Sequence, residues 1–95
     1  MMKSAFTPEE ISHLVPALEE LLEGPSFPFT PKVRDRLTNS SLQKLENYSP
    51  STHFTKQEYT IMFCALMRLT EHLSITDPLY GPLFALQNKV GDLAT

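Results

Sequence analysis

One stretch, Phe54 to Leu73 (FTKQEYTIMFCALMRLTEHL), sets the terms on which this chain can fold. It opens with a complete helix-start signal and continues as the most apolar segment of the sequence. With Thr55 as N-cap, its hydroxyl can accept from the Glu58 backbone N–H while the Glu58 carboxylate reaches back to the N–H of Thr55, which makes a capping box. Phe54 and Tyr59 fall at the two positions of a hydrophobic staple. On a helical wheel Ala65, Leu69, Met62, Leu73, Leu66, Tyr59, Phe63 and Met67 cover an apolar arc of roughly 200°. An arc that wide needs cover from more than one neighbour, so this helix belongs at the centre of a multi-helix core. The remaining sector carries Ile61, Cys64, Arg68, Glu71 and His72, and predicts a strip facing water or a partner.

The rest of the chain supplies the neighbours. Thr7 with Pro8 and Glu10 repeats the capping signal, and Ile11, Leu14, Val15, Leu18, Leu21 and Leu22 follow at helical spacing, so the first helix is expected over residues 8–23. Pro16 lies inside it and predicts a kink, because the apolar stripe continues in phase beyond it. Gly24-Pro25 ends it, and Phe27 and Phe29 in the connector are expected to fold back over the end of the core.

Thr30-Pro31 starts a second helical region over 31–48. Asn39-Ser40-Ser41 falls in its middle, and Ser40 with Gln43 has the spacing of a new capping box, so a break is expected near 39–40. The central helix should span 55–73. After Ser74-Ile-Thr-Asp77-Pro78, the sequence offers two starts for the last helix, and the one at Pro82 is preferred, giving 82–94.

Phe-Thr precedes a helix three times, at 6–7, 29–30 and 54–55. The first and third also share Glu at N3 and apolar residues at N4, N7 and N8. Residues 6–50 and 54–95 can thus be read as two similar hairpins; the simpler reading is that caps and staples recur because helices need them.

Length and composition narrow the function classes. Ninety-five residues suit one domain with one core, and 41% hydrophobic with 20% charged residues is the balance of a globular chain. A net charge of −3 gives no global field for nucleic acid. Cys64 is the single cysteine, so no intrachain disulfide forms, which fits a reducing compartment. The opening residues lack the apolar run of a secretory signal, and the longest apolar run, Ile61 to Met67, falls far short of the roughly 20 residues of a membrane span. A soluble, cytoplasmic protein is expected.

Chemistry-bearing residues are few. His13, His53 and His72 have no pattern that brings them together. Glu10 and His13 have the Glu-x-x-His spacing of di-iron bundles, but no second copy exists and Glu10 is already used in a cap, so no metal is expected. Arg68 lies one turn from Cys64 and would favour its thiolate, yet His72 is two turns away and too distant to act as a base. Lys32, Arg34 and Arg36 do not share one stripe. Lys32 and Arg34 are better explained as partners of Glu19, Glu20 and Glu23 across a hairpin loop.

These readings converge on an all-α domain over residues 1–95, a small four-helix bundle of two antiparallel hairpins with the third helix central. The expected function is a non-enzymatic module that binds another protein or itself, with no cofactor. Ile61, Cys64, Arg68 and His72 on the central helix, with Tyr80 and Phe84 off the apolar face of the last one, are the expected partner surface. The alternative is a nucleic-acid-associated regulator using Lys32, Arg34, Arg36 and Lys44.

Overall fold

The computed structural model describes residues 6–24 and 29–95. They form four helices and no strand: α1 over Pro8–Leu21, α2 over Pro31–Glu46, α3 over Lys56–Glu71 and α4 over Tyr80–Ala94. α3 packs against all three other helices, and α1 also packs against α2, so the molecule is a small all-α bundle built around α3.

The starts of α1 and α3 form as their sequences dictate. Thr7 caps α1 and Thr55 caps α3, each hydroxyl accepting from the N3 backbone N–H while Glu10 or Glu58 accepts from the N-cap N–H. Thr30 caps α2 with its hydroxyl alone, because the N3 position is Val33.

Phe6, Leu14, Ala17 and Leu18 from the first part of the chain, Leu37 and Leu45 from α2, Ile61, Met62, Ala65 and Leu66 from α3, and Leu83, Leu86 and Val90 from α4 make one core. A fully buried side chain such as Leu14, Met62 or Leu66 contributes about 1.5–3 kcal/mol of transfer free energy.

α1 runs unbroken through Pro16. Ser12 and Pro16 are both exposed, so the carbonyl that loses its partner lies on the solvent side. α2 is likewise continuous through Asn39-Ser40-Ser41, and no second cap forms at Ser40. These polar residues have tertiary roles instead. The Ser40 hydroxyl donates to Glu58 Oε2, and Thr38 and Ser41 are fully buried small side chains that bring α2 close to the core.

α4 starts at Tyr80 rather than Pro82. Pro82 then occupies the third helical position, where a missing N–H costs nothing because the first turn has no intrahelical acceptor for it. Near the other end, a Cβ on Gly91 would meet the Phe63 ring at 3.0 Å, so this glycine lets α4 lie close on α3. Phe29 is half-buried against the core, whereas Phe27 lies outside the described residues.

Candidate interaction surface

α4 rests chiefly on α3 and buries only the narrow stripe Leu83, Leu86, Gln87 and Val90. Most of the rest of its circumference is exposed, with Tyr80, Lys89, Gly91 and Ala94 half-buried. Tyr80 and Phe84, one turn apart, stack with ring centroids 5.7 Å apart and planes 9° from parallel. Phe84 is 42% exposed, Leu79 50% and Ile75 79%, so four large apolar side chains within ten residues of chain stand at or near the surface where α3 passes into α4.

The segment that presents Ile75 and Leu79 is tied down by its own hydrogen bonds. The Asp77 N–H donates to the Ser74 carbonyl at 2.9 Å and the Thr76 N–H to Ser74 Oγ at 3.3 Å. Asp77 Oδ1 accepts from the Leu79 N–H at 2.9 Å, and the Asp77 carbonyl accepts from the Tyr80 N–H at 2.9 Å. Such an Asx turn followed by a helix start fixes the backbone beneath the apolar side chains. A pre-ordered apolar surface loses less entropy on binding than a loose loop would.

The expected strip on α3 is not a surface of this kind. Ile61 is 1% exposed, and Cys64 and Arg68 are half-buried; His72 alone of the four is exposed. The wheel left that sector open because it could not include α1. Ala17, Glu20 and Leu21 of α1 share with Ala65, Arg68, Leu69 and His72 a crevice of only about 10 Å³, room for about one water molecule. The apolarity of Ile61 was the signal in the sequence that this side is covered.

Burial pushes the Cys64 thiol above its ordinary pKa, the opposite of what a nucleophile needs. Among the described residues no three His, Cys, Asp or Glu side chains are arranged to hold a metal ion. A hollow of about 390 Å³ opens between the start of α1 and the end of α2. Phe6, Pro8, Ile11, Leu45 and Tyr48 wall it, and Glu46 is the one charged side chain among its described lining residues. No helix is long and apolar enough to cross a membrane among the described residues.

The basic residues separate. Lys32 and Arg36 are exposed. Arg34 turns back to α1, and Lys44 lies 2.6 Å from Glu58 Oε1. Tyr80 and Phe84 are expected from the sequence, whereas Ile75 and Leu79 are not. Their signal was two large apolar residues flanking a Thr-Asp-Pro turn, where a connector ordinarily carries polar ones.

Comparison of the chain with protein-family models, curated proteins and solved structures found no match.

Proposed function

We propose that this protein is a non-enzymatic helical interaction module that binds another protein, or a second copy of itself, through the surface made by Ile75, Leu79, Tyr80 and Phe84. The observation that carries this reading is the exposure of Ile75 at 79% on a segment whose backbone is held by its own hydrogen bonds. Large apolar groups displayed on ordered backbone lose hydration cost and little entropy when a partner covers them. The burial that raises the Cys64 thiol pKa adds support, since it makes the one cysteine a poorer nucleophile. Arg34 and Lys44 are engaged within the molecule, which leaves Lys32 and Arg36 as a thin basis for binding nucleic acid. The reading places the module in a reducing, cytoplasmic setting, in keeping with its one unpaired cysteine.

The test is cross-linking from photoreactive residues placed at positions 75 and 84, combined with light scattering at micromolar concentration. The module should form cross-linked dimers or a defined hetero-complex, and Ile75→Glu with Phe84→Glu should abolish them while leaving the helical content intact. A strictly monomeric protein with no cross-linked partner at either position sinks the reading.

A further inference from the structure

The capping boxes of α1 and α3 are each completed by a lysine from the other half of the chain. Lys89 of α4 places its ammonium 2.8 and 3.1 Å from the two oxygens of Glu10, and 5.5 Å from the centroid of the Phe6 ring. Lys44 of α2 places its ammonium 2.6 Å from Glu58 Oε1 and 5.7 Å from the centroid of the Phe54 ring. In both, the N′ phenylalanine, the N-cap threonine, the N3 glutamate and the incoming lysine play the same parts. The third Phe-Thr start, at Phe29-Thr30, has Val33 at N3 and no capping box.

The two arrangements also meet. Phe6 and Phe54 pack edge to face with centroids 5.7 Å apart, and Tyr48 and Tyr59 each contact both rings at 5.6–6.3 Å. A continuous path of contacts therefore runs from Glu10 through Lys89, Phe6, Phe54 and Lys44 to Glu58. An ammonium over a ring face favours one ring orientation, and an edge-to-face pair requires the two orientations to match.

We propose that the two lysine clamps form one coupled latch, joined through the Phe6–Phe54 contact, which makes the α1–α2 and α3–α4 halves open together rather than separately. Such coupling holds α4, whose packing is otherwise almost all against α3, in register with α1.

The experiment is a double-mutant cycle on the full chain with Lys89→Met and Lys44→Met, reading the unfolding equilibrium in urea. Residues in one network depart from additivity, whereas separate sites add to within about a factor of two. The double variant's unfolding constant should differ from the product of the single effects by about threefold or more. In a Phe6→Leu background that departure should disappear. Where a lysine variant does not fold, Glu10→Gln or Glu58→Gln takes its place in the same cycle. Additivity within about a factor of two, or coupling that persists without the Phe6 ring, overturns the proposal.

Discussion

Arg34 of α2 donates from Nη1 to the backbone carbonyl of Gly24 at 2.5 Å, and to that of Leu21 at 3.3 Å, so the end of α1 is capped by a side chain from the next helix. The last carbonyls of a helix have no intrahelical donor and carry the negative end of its dipole, and α1 has no basic residue in its own last turn. The guanidinium of Arg68 lies beside Gly24 as well, so two cations converge on this terminus. Pairing of Lys32 and Arg34 with Glu19, Glu20 and Glu23 was the expectation from sequence. Arg34 instead pairs with Asp35 and takes the carbonyls.

With its side chain only 11% exposed, Arg34 should not be replaceable without loss. Arg34→Ala is expected to destabilise the fold by about 1.5–3 kcal/mol, the range for hydrogen bonds involving a charged group. Arg34→Lys should recover less than half of this, because an ammonium lacks the planar fork that reaches two carbonyls and Asp35 together. Urea titration of the two variants checks both statements, and equal stability of Arg34→Lys and the parent would contradict the second.

Acid should weaken the fold through Glu10 and Glu58. Burial acts to raise both pKa values, but hydrogen bonds from Lys89 and Thr7 to Glu10, and from Lys44, Ser40 and Thr55 to Glu58, outweigh it and leave both below the ordinary glutamate value. A carboxyl with a lower pKa folded than unfolded contributes its full stability above the unfolded value of about 4.3, and loses it as pH falls through the folded value. The urea midpoint should therefore stay level from neutral pH to about pH 5 and fall below about pH 4.3. Glu58→Gln should begin less stable and lose less on acidification. A parent protein whose midpoint is the same on both sides of this window would refute the assignment.

The two helix-borne glycines of α4 should respond oppositely to alanine. Nothing approaches a Cβ at Gly81, so Gly81→Ala should stabilise by about 0.4–1 kcal/mol through the unfolded chain. Gly91→Ala drives a methyl to 3.0 Å from the Phe63 ring, and overpacking of this kind costs about 1–3 kcal/mol, offset in part by helix propensity. Thermal melts of both variants decide the matter, and a gain at Gly91 would show that Phe63 moves freely.

Thr38 Oγ1 is fully buried and has no hydrogen-bond partner among the described residues. Thr38→Val keeps the shape and removes the orphaned hydroxyl, so it should raise stability by about 1–3 kcal/mol. A loss of stability in the urea titration would mean that this hydroxyl has a partner in solution.

Surface and core on α4 should separate cleanly. Phe84→Ser should change stability by no more than about 1 kcal/mol, chiefly the lost stacking on Tyr80, and should remove the proposed partner binding. Leu86→Ala, two residues on, should cost about 2–5 kcal/mol because Leu86 is buried. Comparing the two by urea titration and cross-linking shows whether the aromatic edge serves binding or folding.

What the residues determined alone is local and periodic. Thr7, Thr30 and Thr55 mark the starts of α1, α2 and α3, because a cap needs only atoms within one helical turn. The breadth of the apolar arc on α3 required several neighbours, which made that helix central. What the tertiary structure decided is which neighbour lies where. Ile61 is buried because neighbouring helices cover that side of α3, a fact no single-helix wheel contains. Asn39-Ser40-Ser41 stays helical because Ser40 bonds Glu58 across the bundle and the small side chains of Thr38 and Ser41 fit a close approach. Lys44, Lys89 and Arg34 find acceptors on other helices, the most distant 79 residues away, and spacing along the chain does not encode such a meeting. The surface at Ile75 and Phe84 follows from the same cause, since α4 has essentially one neighbour and the bundle ends before its outer edge is covered.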